Sequence, residues 1–388
     1  MGYMALKIDL EKGYDKIEWS FIKEMMVRVN LPTSLIDIIM SCVSTVSTSI
    51  LINGETTDPI FPSRGLRQGD PLSPYLFILC IDYLSQPIEE KCEANHWHPV
   101  KTSQNGPTFS HLLFADDLLF FAKADIQNSL AIREVLDDFF SISGQSIGEA
   151  KSRVYFSPNV SRELREELGD VIGFASTPTL GKYLGFPLKQ VGTSSHDYNF
   201  ILDRVKQKLT SWKENVLSMA GRSVLIQASL TAIPAHVMQC SYLPGKILEG
   251  IDRVNRNFLW GSLESVRKIH WVGWKKVVKS KEEGGLGLHS ARNRNIALLS
   301  KLNWCFHTEE EVLWARVLKE KYCSARKVRA TNPKKLSCSS IWVAMKKGRD
   351  VFLKGSKWVV GRDSGLSLWY SNWLEKGPLR CLVQGPLS

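Results

Sequence analysis

Apolar and polar residues alternate over ALKIDL (5–10), which predicts a short strand. They then recur every three or four positions through EWSFIKEMMVRV, which predicts a helix. LPTSLIDIIMSCVS puts Pro32 at a helix start and continues at helical spacing. STSILINGETTDPI is rich in β-branched residues, and Asn53-Gly54 marks a hairpin turn within it. The loop PSRGLRQGDP leads into LSPYLFILCIDYLSQPIEEKC, an apolar stretch expected to form one buried helix. HLLFADDLLFF (111–121) predicts a strand pair, DIQNSLAIREVLDDFFSISG a helix stopping at Gly144, and SRVYFSP a further strand. Antiparallel hairpins with intervening helices make this an α+β pattern.

Beyond about residue 190 the periodicity is mostly helical. YNFILDRVKQKLTSWKENVL (198–217) predicts one helix, and SVLIQASLTAIPAHVM another that Pro234 is expected to bend or end. KILEGIDRVNRNFLW and NIALLSKLNWCF follow, separated by the Gly-rich GGLGLHS. The absence of internal repeats argues against array architectures. At 388 residues and 44% hydrophobic, the chain is long enough for two or more domains.

No apolar run approaches the roughly 18 residues of a membrane span. The opening MGYMALKIDLEKG is unlike a signal or transit peptide. The expectation is an intracellular protein of nucleus or cytoplasm, without a membrane partner. Eight cysteines are scattered without C-x-x-C or metal-ligand spacing, which favours free thiols over disulfides or zinc.

Charge is uneven. Residues 1–200 carry 17 Lys and Arg against 25 Asp and Glu, and residues 201–388 carry 33 against 14. The halves are therefore −8 and +19 within an overall +11. An acidic half followed by a basic half with interleaved Trp and Tyr suggests chemistry in the first and polyanion binding in the second. A solvated basic surface is the alternative.

Asp116 and Asp117 stand side by side in an otherwise apolar run. Adjacent ionised carboxylates repel and lose hydration, so the pair is either a metal site between two strands or an Asp-Asp hairpin turn. Asp9 ends the first strand, and an antiparallel sheet would bring it beside that hairpin. Carboxylates converging there can hold two Mg²⁺ ions about 4 Å apart, the arrangement used in phosphoryl transfer. Asp15 is expected to be structural, for instance in a salt bridge near a helix N-terminus.

KIDLEKGYDKIEW, GLRQGDPLSPYLFILCIDYL, HLLFADDLLFFAK, SGQSIGEAKSRVYFS and KYLGFPL occur here in one order. In that order they resemble the reverse transcriptases of LINE-type non-LTR retrotransposons, particularly the plant branch. LTSWKENVLSMAGRSVLIQ, FLWG, GGLGL and the final SLWYSNWL extend the similarity across essentially the whole chain. The resemblance implies a polymerase palm at 1–190, a helical thumb at 191–285 and a helical, basic connector at 286–388. It implies RNA-directed DNA polymerase activity with Mg²⁺ or Mn²⁺, acting on an RNA template, a DNA primer and dNTPs. The alternative is an inactive remnant that at most binds nucleic acid through its basic half.

Carried over by motif, Asp9, Asp116 and Asp117 would be the metal-binding catalytic carboxylates. Tyr14 would exclude a ribose 2′-hydroxyl. Arg67, Gln68 and Gly69 would meet the incoming nucleotide and template, with a salt bridge to Asp70 the alternative for Arg67. Lys151 would protonate the pyrophosphate leaving group, or be a solvated strand lysine. Tyr183, Leu184 and Gly185 would grip the primer, an ordinary strand-turn being the alternative. The family usually has Ala where Gly13 stands and Asn where Gly148 stands, so both glycines are expected to add backbone freedom. Counterparts of the family's fingers, endonuclease and zinc-binding segment are not found in the sequence. Strand 5–10 is accordingly expected to lose neighbours that would cover it.

Overall fold

The computed structural model describes residues 2–103, 106–148, 150–188, 194–210, 217–262, 268–309, 311–323, 338–361, 366–375 and 377–383. The fold is α+β, and the chain divides into two compact units, Met1–Leu184 and Gly185–Ser388. The expected boundary at 190–191, and the 211–216 portion of the expected helix 198–217, lie outside the described residues.

In the first unit, β1 (Tyr3–Asp9) leads through the short α1 (Gly13–Lys16) to α2 (Trp19–Arg28) and α3 (Thr33–Ser44). A small hairpin of β2 (Leu51–Ile52) and β3 (Glu55–Thr56) turns at Asn53 and Gly54, whose φ angles of 50° and 93° are those an Asn-Gly hairpin turn requires. Then come α4 (Ser73–Asp82), α5 (Ser85–Glu93), β4 (Val100–Lys101), β5 (Thr108–Phe109), β6 (His111–Phe114) and β7 (Asp117–Lys123). The unit continues with α6 (Ile126–Ser143), β8 (Arg153–Phe156), α7 (Arg162–Ile172) and β9 (Ser176–Thr177).

Among the described residues the main sheet has the order β6-β7-β1-β8-β9. Strand β1 therefore lies at its centre, antiparallel to both β7 and β8, rather than losing its neighbours as expected. The reason is that β8 returns after α6 to cover the side of β1 that the β6–β7 hairpin leaves open. Met4, Leu6 and Ile8 point into the core, opposite Ala122, Phe120 and Leu118, and all six are buried. Each such large side chain contributes about 1.5–3 kcal/mol on burial. The period of two then fixes the other face: Lys7, Asp9 and Asp117 lie on the side away from this core. A one-residue slip would bury the carboxylates.

The apolar stretch 72–92 is two helices rather than one. Pro87 has no N–H to give to the Tyr83 carbonyl, so the chain closes one helix at Asp82 and restarts at Ser85. Helix α6 begins and ends as its sequence demands. Asp125 accepts from Asn128 N at its start, and Gly144 closes it in the left-handed region with φ 72°.

The second unit is mostly helical among the described residues. Tyr198, Val237, Ile247 and Ile251 anchor one apolar cluster; Val205, Ile226, Phe258 and Leu288 anchor another; Phe306, Leu318 and Met345 a third. The expected helix is interrupted just ahead of Pro234, between Leu225 and Ala232. Pro234 sits in the first turn of helix Ala232–Met238, and the preceding residues Ile226–Leu230 widen into a π turn that absorbs the missing donor. Buried Asn295 accepts from Leu243 N and donates to Met238 O and Ser241 O, tying helix Ala291–Thr308 to the turn before helix Gly245–Trp260. At Gly348 the helix Ser340–Gly355 comes so close to Leu299 that an added Cβ would lie 2.5 Å from its carbonyl carbon. All eight cysteines are free thiols. No described helix is long and apolar enough to cross a membrane.

Candidate active site

Asp9, the last residue of β1, is paired directly with Asp117, the first residue of β7. Between β6 and β7 the chain turns through Ala115 and Asp116, and Ala115 takes a positive φ of 50°. The Asp-Asp pair is thus both things at once: Asp116 in a hairpin turn and Asp117 on a strand facing a third carboxylate.

The main chain of Asp9 is clasped by the segment before β8. Gly148 N donates to Asp9 O at 2.8 Å, and Asp9 N donates to Ser152 Oγ at 3.1 Å. A Cβ on Gly148 would stand 3.3 Å from both Asp9 O and Asp9 Oδ1. Gly148 therefore permits close approach to the carboxylate rather than adding freedom. Lys151 Nζ lies 3.5 Å from Asp9 Oδ1, so this lysine faces the site although its side chain is largely exposed.

Burial raises the pKa of Asp117, the neighbouring Asp116 and Asp9 raise it further, and Lys7 opposes them. Lys7 Nζ lies 4.0 Å from Asp117 Oδ1 and donates to the main-chain oxygen of Lys182 at 2.8 Å. Lys182 begins the short strand Lys182–Tyr183, which runs into a turn where Leu184 and Gly185 have φ angles of 48° and 82°. Burial raises the pKa of Tyr183, and Asp117 adds to the effect. Tyr183 thus lies within the field of the carboxylate hairpin.

Tyr14 on α1 stacks on Phe77 of α4, with ring centroids 4.4 Å apart and planes 12° from parallel. Burial raises its pKa first, and Asp116 second. Phe77 is wholly buried, and a Cβ on Gly13 would meet its Cζ at 3.0 Å. Gly13 makes room for the ring on which Tyr14 rests. The expected gain in backbone freedom is not its visible role.

The loop before α4 is stitched onto α1 and the start of α2. Leu66 N donates to Tyr14 O at 2.6 Å, Gly65 N to Ile17 O at 2.8 Å, and Trp19 Nε1 to Gly65 O at 2.8 Å. Gln68 Nε2 donates to Asp15 Oδ1 at 3.4 Å, so Asp15 holds the loop through an amide partner. Gly69 has a φ of 95°, which a side chain would resist. Among the described residues Arg67 makes no ion pair with Asp70, whose Oδ1 accepts from Leu72 N at 2.8 Å. Arg67, Gln68 and Asp15 line a cavity of about 480 Å³ that the three carboxylates do not line.

Among the described residues no three His, Cys, Asp or Glu side chains form a ready-made metal cage. The donor set nevertheless fits a hard divalent cation. Its carboxylate oxygens are the preferred ligands, and the strand register pairs Asp9 directly with Asp117 beside Asp116. A cation held by Asp9, Asp116 and Asp117 would neutralise charge on a phosphate brought to it.

Sequence reading missed Lys7 and Phe77. Lys7 had a signal, since it lies two residues before Asp9 and therefore on the same face of the strand. Phe77 had none beyond its apolar character.

Residues 2–188 match the family model described as reverse transcriptase (RNA-dependent DNA polymerase). An Arabidopsis thaliana protein named for a candidate ribonuclease H is 38% identical over 51% of this chain and 32% of its own length. A retrovirus-related Pol polyprotein from the type-1 retrotransposable element R2 of Popillia japonica is 26% identical over 77% of this chain and 48% of its own. An uncharacterized mitochondrial protein of Arabidopsis thaliana is 30% identical over 38% of this chain and 97% of its own. The chain thus spans less than half the length of the first two relatives.

Proposed function

We propose that the first unit, of which residues 2–188 match the reverse transcriptase family model, carries out RNA-directed DNA synthesis. A primer 3′-hydroxyl attacks the α-phosphate of a dNTP paired to an RNA template, and pyrophosphate leaves. The observation that carries this reading is the direct pairing of Asp9 with Asp117, with Asp116 at the adjoining turn. Family members use divalent metal ions, and Mg²⁺ or Mn²⁺ held by Asp9, Asp116 and Asp117 would supply charge neutralisation at the transferred phosphate.

The remaining roles belong to the chain's own side chains. Lys151, 3.5 Å from Asp9, is placed to give a proton to the leaving pyrophosphate. Tyr14, held flat on Phe77, blocks the space a ribose 2′-hydroxyl needs. Gln68, oriented by Asp15, and Gly69, with its open backbone, meet the nucleotide and template, with Arg67 on phosphate. The Tyr183-Leu184-Gly185 turn holds the primer end, and productive alignment there is worth several orders of magnitude in rate. We assign 1–190 to the palm, 191–285 to the thumb and 286–388 to the connector. On its ordered motifs we also assign the chain to the plant LINE-type branch, acting in nucleus or cytoplasm.

The test is primer extension by the purified chain on poly(rA)/oligo(dT) with dTTP and Mg²⁺ or Mn²⁺. Divalent-dependent extension supports the proposal. Salt-sensitive binding of the template-primer without any extension supports an inactive nucleic-acid-binding remnant instead.

A further inference from the structure

The second unit holds a cavity of about 700 Å³ between helices Ala291–Thr308 and Ser340–Gly355 and the SLWYSNWL segment. Its wall combines two kinds of side chain that core packing does not bring together. Trp304, Trp358 and Tyr370 line it while remaining 53%, 51% and 71% exposed. Large aromatic faces left open on a cavity wall are available to a planar ligand. Arg349, Lys354 and Lys357 line the same cavity and are exposed. Among the described residues Lys354 and Lys357 make no ion pair, and Glu375 is the sole carboxylate in the lining.

Asn372 adds a polar mark. Its Nδ2 donates to Leu353 O at 3.2 Å and Ser356 O at 2.7 Å, and its main-chain oxygen accepts from Trp358 N at 2.7 Å. These bonds hold the aromatic segment against the end of the helix. Its Oδ1 is left buried without a partner among the described residues.

From these observations we propose that the cavity is a subsite for single-stranded nucleic acid. One base stacks on the exposed rings, while flanking phosphates lie on Arg349, Lys354 and Lys357. Rings supply sequence-tolerant stacking and cations track the backbone, the combination that single-strand binders use. The choice of a nucleic acid as the polyanion rests on the reverse transcriptase reading. The cavity itself shares no residue with the carboxylate site.

The test is fluorescence anisotropy of the full chain with labelled oligouridylate and oligothymidylate of about 12 nucleotides, within the usual site size of such proteins. Trp358→Ala is expected to weaken binding roughly tenfold, the loss of one base stack, and Trp358→Phe to retain most of it. The pair Lys354→Glu and Lys357→Glu is expected to weaken binding and make log K against log salt shallower by about 0.7 per lost phosphate. Both sugars binding alike supports base and phosphate recognition, and a ribose preference supports a further 2′-hydroxyl contact in the same subsite. Because these side chains are exposed, melting temperature should stay unchanged and so exclude unfolding as the cause. Unchanged affinity and salt slope in both variants would overturn the proposal, as would an acidic peptide binding there while neither oligonucleotide does. Asp116→Ala should leave oligonucleotide affinity intact, so loss of polymerase activity and loss of this subsite are read separately.

Discussion

Asp117 faces Asp9 directly across the β1–β7 pair, and the pKa of Asp117 is raised. Burial first, then Asp116 and Asp9, make its ionised form less favourable when folded, against the pull of Lys7. A carboxylate with a raised folded pKa costs stability as pH climbs from its ordinary value of 3.8 through the raised value. The cost is absent below that window and complete above it. Asp117→Asn should therefore melt a few degrees above the native chain at neutral pH and level with it in acid. Thermal melts at both pH values check this, and a lower melting temperature for the variant at neutral pH would count against it. Added Mg²⁺ should raise the melting temperature of the native chain more than that of the variant.

Lys7 reaches in two directions, to the Asp117 carboxylate and to the carbonyl of Lys182 just before the Tyr183 turn. Removing it should loosen the turn against the carboxylates more than it harms nucleotide binding. Lys7→Met is expected to raise KM for template-primer, with up to about a hundredfold loss in kcat/KM, the scale of a small misplacement. The KM for dNTP should hardly change. Lys7→Arg should recover much of the loss, since it keeps both the charge and a donor. Steady-state kinetics with each substrate varied in turn separates these outcomes.

Gly13, Phe77 and Tyr14 form one steric unit. Gly13→Ala should press on Phe77 by a few tenths of an ångström and shift the ring that stacks on it. The expected reading is a several-fold change in the ratio of dNTP to rNTP incorporation, smaller than for Tyr14→Ala. Phe77→Leu, which removes the contact, should cancel most of the effect of Gly13→Ala. Additive effects in the double variant would show the two positions to be independent.

Gly65 has a φ of 89°, and a Cβ there would stand 2.6 Å from the Asp15 carbonyl oxygen. Backbone, not a flexible side-chain end, occupies the space. Gly65→Ala should cost about 1–3 kcal/mol in stability, and the loop that carries Arg67 and Gln68 should lift from α1. Denaturant unfolding measures the first effect. Faster hydrogen exchange at Leu66, whose N–H binds Tyr14 O, measures the second.

The pattern of the sequence made the local elements legible because local forces decide them. Alternation located β1, the Asn53-Gly54 pair located its hairpin, and Gly144 stopped α6. The split at Pro87 and the π turn before Pro234 were not read, because whether a proline stops, starts or bends a helix depends on the carbonyls it leaves behind. Non-local relationships were hidden for a different reason. Periodicity says that Lys7 and Asp9 share a face, yet it does not say which strands flank them or that Lys7 meets a carbonyl 175 residues away. Gly13 and Gly148 read as sources of freedom, and their close approaches to Phe77 and Asp9 became visible only in three dimensions.

The most direct measurement is divalent-dependent primer extension on an RNA template by the native chain beside Asp116→Ala and Asp9→Asn. The account predicts extension by the native chain. It predicts losses in both variants beyond the roughly 10–100-fold that follows removal of a group outside the metal's own ligands, with melting temperature and oligonucleotide affinity preserved. Extension by the variants at native rates would contradict it.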